Sequence, residues 1–247
     1  MRNPILLIPA RLAATRLPNK PLASIAGVPM IVHVWRVAVA ADCGPVVVAS
    51  GDRAIAETVE RAGGRAVMTD PELPTGSDRI HAAISALDPE RTHDAVVNVQ
   101  GDMPMLDPAA IRVALRALGE TDADITTLAA EITDPASLTD SSVNKVAAGF
   151  ADPSRPARAL YFSKAAVPWG EGPHHEHVGL YAYRRAALDR FVGLPRGVLE
   201  GRERLEQLRA LEAGMRIWVS LIDKAQLGVQ VDTPDDLARA RQLMEAP

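Results

Sequence analysis

The amino-acid sequence predicts an α/β fold in which helices flank a mixed, mostly parallel sheet. Three observations predict it. Apolar runs at residues 5–8, 46–49 and 95–97 lack a polar face, as strands covered on both sides require. Stretches with apolar residues at helical spacing separate these runs, which is the alternation of a parallel sheet with right-handed crossovers. Loops rich in Gly, Pro and small polar residues follow the strand ends, where open α/β sheets bind their ligands.

The first strand, Ile5-Leu6-Leu7-Ile8, runs into Pro9-Ala10-Arg11 and a loop that carries Arg16 and Lys20. Small residues between three cations let backbone amides approach a polyphosphate while the cations neutralise it. The same composition also suits a solvated basic loop. Neither of the glycine cradles G-x-x-x-x-G-K-[ST] and G-x-G-x-x-G is present. Pro29 fits the first turn of a helix bearing Met30, Val34, Trp35 and Ala38, closed by Gly44-Pro45, with Cys43 as a small buried filler at its end. After strand 46–49, Asp52 is placed to cap a helix carrying Ile55, Val59 and Ala62, and Gly63-Gly64 closes it before a strand at 65–68. Ser77 is expected to cap the next helix, which bears Ile80, Ile84 and Leu87. A strand at 94–99 then delivers Gln100-Gly101-Asp102. Gly101 permits a sharp turn that presents Asp102 at the carboxyl edge of the sheet, suited to a Mg²⁺ that shares phosphate oxygens or to bonding turn amides.

Asp107-Pro108 opens a helix with Ile111, Leu115 and Leu118 on one face and Gly119 at its end. Residues 125–131 alternate as a strand, and 143–147 and 158–162 predict further strands, with antiparallel members among them. His174, His175 and His177 with Glu176 do not read as a metal site, because adjacent histidines cannot all face one ion and the i, i+4 pair of a zinc-protease helix is missing. Residues 199–214 predict one amphipathic helix packed through Leu199, Leu205, Leu208 and Leu211 and stopped by Gly214. A strand at 215–221 follows. Thr233 and Pro234 start the last helix, with Asp235 and Asp236 favourable in its first turn.

At 247 residues, 47% hydrophobic and 23% charged, the chain has material for one large domain. A net charge of −4 gives no support to general nucleic-acid binding. One cysteine rules out a disulfide framework and a cysteine zinc site. The apolar run near the N-terminus is too short for a signal peptide, and no stretch reaches the length of a membrane span. A cytoplasmic protein without nucleic-acid or membrane partners is expected.

Seven separated motifs, in one order from residue 5 to about residue 240, resemble the 3-deoxy-manno-octulosonate cytidylyltransferase family. They are Pro9-Ala10-Arg11 with Thr15-Arg16-Leu17-Pro18 and Lys20-Pro21-Leu22; Thr75-Gly76-Ser77-Asp78-Arg79; Gln100-Gly101-Asp102; Ala159-Leu160-Tyr161-Phe162-Ser163-Lys164; His177-Val178-Gly179-Leu180-Tyr181; Leu205-Glu206-Gln207-Leu208-Arg209; and, closing the set, Val231-Asp232-Thr233-Pro234. The resemblance implies a nucleotide-diphospho-sugar transferase fold that spans 1–247 as a single domain. Its nucleotide-binding part would be about 1–125, its sugar-acid and dimerisation part about 126–225, and its final helix 233–245.

The same resemblance implies that CTP and the eight-carbon acid sugar Kdo are the substrates, with CMP-Kdo for lipopolysaccharide as the product. Pro9, Ala10, Arg11, Arg16, Lys20, Ser77, Arg79 and Gln100 would bind the nucleotide. Gln100, Ser163, Lys164, His177, Tyr181, Glu206 and Gln207 would bind the sugar. Arg11, Lys20, Asp102 and Asp232 would be catalytic, with Asp102 and Asp232 as ligands of Mg²⁺, and the chain would form a homodimer. Lys164 stands where the family commonly has Arg, and Asn19 where Gly is frequent. Asp232 is approached through Gly228-Val229-Gln230-Val231 rather than the family's shorter Gly-Val. A cytidylyltransferase for another acid sugar and a non-catalytic nucleotide-binding relative are the competing readings.

Overall fold

The computed structural model describes residues 1–13 and 17–245. The chain divides into two compact units, Arg2–Arg112 with Ala225–Pro247, and Val113–Lys224 with Met1.

In the first unit, β1 (Pro4–Ala10) is followed by a small antiparallel pair, β2 (Ser24–Ile25) and β3 (Val28–Pro29), and by α1 (Met30–Ala40). Next come β4 (Val46–Ser50), α2 (Arg53–Arg61), β5 (Arg65–Met68), α3 (Gly76–Leu87) and β6 (Ala95–Asn98). The strand order is β5-β4-β1-β6, all parallel. Leu6, Leu7, Ile8, Val47, Val48, Val96 and Val97 are fully buried, which is why their runs show no polar face. Each such side chain contributes about 1.5–3 kcal/mol on burial, so this sheet anchors the loops at its carboxyl edge.

The chain passes between the units within α4 (Pro108–Glu120). The second unit holds β7 (Ile125–Glu131), α5 (Pro135–Thr139), β8 (Lys145–Ala148), β9 (Ala157–Ser163), β10 (His175–Arg184), α6 (Arg185–Val192), α7 (Val198–Glu203), α8 (Leu208–Glu212) and β11 (Ile217–Leu221). Its order is β10-β7-β11-β9-β8, and β8 also meets β10 at Lys145 and Glu176, so the strands close on themselves. Only β7 and β11 run parallel among the described pairings of this unit. The sheet is therefore mixed, as expected, with most of its parallel members gathered in the first unit. The final helix, α9 (Pro234–Glu245), belongs to the first unit, where Leu237 and Ala240 join Ile25, Met30, Val229 and Val231 in one apolar cluster.

Five local expectations are corrected. Asp52 precedes α2 but makes no side-chain cap, its carboxylate being taken by the Leu12 amide. The cap of α3 is Thr75, whose hydroxyl oxygen accepts the Asp78 amide, and Ser77 lies buried inside the helix. Strand β7 has six consecutive buried residues rather than an alternating pattern, so both of its faces are covered. The helix expected at 199–214 is two short ones. Arg204 adopts a left-handed conformation (φ 57°) and the chain reverses, so that Arg209 binds both oxygens of Glu200 at 2.7 and 2.8 Å. In a continuous helix those two residues would lie about 13 Å apart along the axis. Cys43 is a half-buried free thiol in the turn after α1.

Candidate active site

In the first unit, the carboxyl ends of β1 and β6 open into a cavity of about 310 Å³. Pro9, Ala10, Arg11, Lys20, Arg79, Gln100 and Asp102 line it, so seven of the predicted nucleotide and catalytic residues converge there. Ser77 does not line it, whereas Thr75 and Gly76 do. Arg16 lies outside the described residues.

The main chain explains the convergence. The Ala10 carbonyl accepts the Gly51 amide and Asp52 accepts the Leu12 amide at 2.7 Å, which fixes the exit from β1. Arg11 donates to the Leu73 carbonyl at 3.2 Å. Arg79, buried in α3, donates to Thr69 Oγ1 and to the carbonyls of Asp70 and Pro71, so its guanidinium braces the 69–71 loop as well as facing the cavity. Burial, reinforced by the neighbouring charge of Arg11, holds Arg79 below the usual guanidinium range. Two cations are thus held close enough to repel, an arrangement that an anion relieves. Gly101 is required by close approach: a Cβ there would stand 2.9 Å from the Pro9 carbonyl oxygen.

Lys20 begins a short 3-10 turn after Asn19, whose left-handed backbone (φ 56°) is one that Asn adopts more readily than most residues with a side chain. Its ammonium lies 3.1 Å from Asp102 Oδ2 and 2.9 Å from Asp232 Oδ1. The longer approach to Asp232 therefore does not displace it. Residues 226–231 run beside 102–107, with Asp107 N donating to Gln226 O and Val231 N to Asp102 O. Gly228 fits there because any side chain would collide with Met105. Val231 is buried in the apolar cluster, and Asp236 accepts the amides of Asp232 and Thr233, so Asp232 is held from both sides.

Burial, aided by the Asp232 charge, holds the Asp102 carboxyl above its usual range against the pull of Lys20. Burial works to lower Lys20, but Asp102 and then Asp232 outweigh it and the ammonium is held above its usual range. The cluster is two carboxylates about one ammonium. Asp102 Oδ1 is buried without a hydrogen-bond partner among the described residues. A cation already bridging the two carboxylates and an unsatisfied buried oxygen together fit a divalent metal at this place. No group of three or more His, Cys, Asp or Glu side chains able to hold a metal occurs among the described residues.

Of the predicted sugar residues, Gln100 lies in the first unit, and in the second Ser163 ends β9, Lys164 follows it, and His177 and Tyr181 lie on β10. A bulge in β10 between Val178 and Tyr181 brings the carbonyls of Val178 and Leu180 to 3.0 and 2.8 Å from Thr127 Oγ1. Those carbonyls compete for the single hydroxyl proton, which leaves the Thr127 oxygen to accept from His177 Nε2–H at 2.9 Å. The neutral ring then has Nδ1 as an acceptor. Phe162 packs edge-on to His177 at 4.8 Å and Tyr181 lies 5.5 Å away, and this enclosure pushes the imidazole down to about 3. Burial, with Tyr183 and Glu206 adding, pushes Tyr181 well above its usual range. Gln207 Nε2 is buried with no hydrogen-bond partner among the described residues. Glu206 and Gln207 sit in the turn between α7 and α8 rather than on a helix. Ser163 donates to Glu203 Oε1, and the Lys164 ammonium rests on the Ser141 carbonyl at 3.3 Å.

Residues 5–217 match the cytidylyltransferase family model. A 3-deoxy-manno-octulosonate cytidylyltransferase of Methylobacterium radiotolerans is 59% identical over 99% of this chain and 98% of its own. The chain belongs to the 3-deoxy-manno-octulosonate cytidylyltransferases. A second such relative, from Methylorubrum extorquens, is 57% identical over 99% of this chain and 98% of its own. The solved structure of a CMP:2-keto-3-deoxy-manno-octonic acid synthetase complexed with CTP is 34% identical, with a TM-score of 0.89 over 98% of each chain. No helix of this cytidylyltransferase, among the described residues, is long and apolar enough to cross a membrane.

Sequence reasoning missed Asp52, Thr75, Thr127, Lys145 and Glu203. Thr75 carried a signal, the Thr-x-x-Asp spacing of a capping pair. Lys145 carried another, a charge flanked by apolar strand residues. Asp52, Thr127 and Glu203 act through partners 40 or more residues away, or 39 in the Lys164 contact, and had none.

Proposed function

We propose that this cytidylyltransferase moves the cytidylyl group of CTP to the anomeric hydroxyl of Kdo, giving CMP-Kdo and pyrophosphate in the cytoplasm for lipopolysaccharide synthesis. The observation that carries the reading is the Lys20 ammonium clasped between Asp102 and Asp232 beside a cavity lined by Arg11, Arg79 and Gln100. The hydroxyl oxygen attacks the α-phosphorus and the bond to the β-phosphate oxygen breaks in line, so no covalent enzyme intermediate is needed and catalysis is positioning plus charge stabilisation. Arg11, Arg16 and Lys20 hold the triphosphate and the departing pyrophosphate. Asp102 and Asp232 would hold Mg²⁺, which when bound would neutralise phosphate charge and lower the pKa of the attacking hydroxyl. Lys20 exchanges its carboxylate partners for phosphate oxygens as nucleotide and metal enter.

On the acceptor side, His177 Nδ1 takes a hydrogen bond from a sugar hydroxyl, Gln207 Nε2 gives one, and Glu206, Tyr181, Ser163 and Lys164 complete the pocket. Gln100 is available to nucleotide or sugar. A homodimer is part of the same reading, and the exposed Leu160, Trp169 and Val198 offer apolar contact to a second copy.

The test is pyrophosphate release with Mg²⁺, CTP and Kdo, with UTP in place of CTP and a sialic acid in place of Kdo as controls. Release with CTP and Kdo alone is expected. Lys164 in the place of the usual Arg favours keeping one second reading, since a point charge grips a carboxylate less selectively than a guanidinium fork. Release with the sialic acid only would establish that reading and overturn Kdo as the acceptor.

A further inference from the structure

The Lys164 peptide is held from both sides by buried or half-buried groups of opposite charge. Glu203, at the end of α7, accepts the Lys164 amide on Oε2 at 3.0 Å and the Ser163 hydroxyl on Oε1 at 2.8 Å. Lys145, fully buried in β8, donates to the Lys164 carbonyl at 3.2 Å. Its two other N–H groups go to the carbonyls of Asp140 and Val143 at 2.6 and 2.8 Å. An ammonium buried on carbonyls is costly to desolvate, and replacing it with an apolar residue would spare that cost if only packing were at stake. Ser163 is equally committed. It gives its proton to Glu203 and accepts the Ala165 amide at 3.0 Å, so one lone pair is left for a ligand.

We propose that Glu203 and Lys145 are positioning residues for the acceptor sugar: gripping the amide and the carbonyl of Lys164, they fix where the Lys164 ammonium and the remaining Ser163 lone pair meet the substrate. This rests on the reading of the second-unit pocket as the acceptor site. Neither residue touches the nucleotide cavity of the first unit. Lys164 is an unbranched side chain with four rotatable bonds, so an anchored main chain is what gives its charge a defined place.

The test is steady-state kinetics of Glu203→Gln, with CTP and Kdo varied separately, after turnover by the unsubstituted protein has been measured. The amide keeps the shape but turns one acceptor into a donor facing either the Ser163 hydroxyl or the Lys164 N–H. The KM for Kdo is expected to rise about tenfold, as loss of one to two hydrogen bonds to a charged group implies, with the KM for CTP unchanged. Lys145→Met is expected to show the same split, and if it does not fold the Glu203 arm decides alone. Tyr161→Phe removes only a 3.4 Å contact to Glu203 that does not reach Lys164, and should leave both constants unchanged. An unchanged KM for Kdo in Glu203→Gln would overturn the proposal. A parallel loss for both substrates with a lowered melting temperature would do so too, since it marks a merely structural role. If the unsubstituted protein itself does not turn over Kdo, the functional reading fails first and the inference falls with it.

Discussion

The two units handle charge in opposite ways. In the first, an ammonium between two carboxylates stands beside a cavity lined by two guanidinium groups, and their mutual attractions and repulsions are left incompletely settled. In the second, the functional groups are nearly all neutral or already committed: His177 is held uncharged, Glu203 is saturated by amide and hydroxyl donors, and Lys145 is spent on carbonyls. The difference fits the ligands proposed above. A triphosphate and a divalent cation would bring large charges that must find counter-charges ready. An acid sugar would bring one carboxylate and several hydroxyls in fixed directions, and the hydroxyls require donors and acceptors whose orientation is decided beforehand.

The largest expected effect lies in the first unit. Asp102→Asn should cost about a thousandfold or more in turnover while the protein stays folded, measured by pyrophosphate release and circular dichroism. Retained activity with unchanged Mg²⁺ dependence would remove Asp102 from the mechanism and break the contrast. Next is Lys20→Met, expected to lower turnover about a hundredfold. It also leaves two partly buried carboxylates facing each other, so the melting temperature without divalent ions should fall by about 5 °C, allowing for their partial exposure. Added Mg²⁺ should restore it in the variant and change the parent little.

A smaller effect belongs to the second unit and appears in stability rather than rate. His177 titrates near 3 when folded against an ordinary 6.5, so the unfolded chain binds the proton first as pH falls. The contribution is whole above pH 6.5 and is lost progressively toward pH 3, with about 2 kcal/mol gone at pH 5. Denaturant melts of the parent and of His177→Gln across that window should differ by this slope. The smallest effect is that of Lys164→Arg. With its main chain anchored at both ends, the longer fork should shift the KM for Kdo by less than about tenfold and leave that for CTP untouched.

Much of the first unit was legible in the sequence because its determinants are local. Ile5-Leu6-Leu7-Ile8 and the turn at Gly101 state their structure within a few residues, and Lys20, Asp102 and Asp232 stand in loops that follow strands or precede a helix. What stayed hidden depends on distant partners. Asp52 reads as a helix cap until Leu12 arrives from 40 residues earlier to claim its carboxylate. The period of residues 199–214 is helical, yet a left-handed Arg204 and the Glu200–Arg209 pair fold it into two, and that break leaves Glu206 and Gln207 in a turn. The pairing of β7 likewise depends on β10 and β11, which come later in the chain.

The division of labour is tested most directly by His177→Gln, assayed at neutral pH with CTP and Kdo varied independently. Loss of one fixed acceptor in the second unit should raise the KM for Kdo about tenfold and leave the KM for CTP within twofold of the parent. An equal rise in both, or a change in the CTP constant alone, would contradict the assignment of the sugar to this pocket.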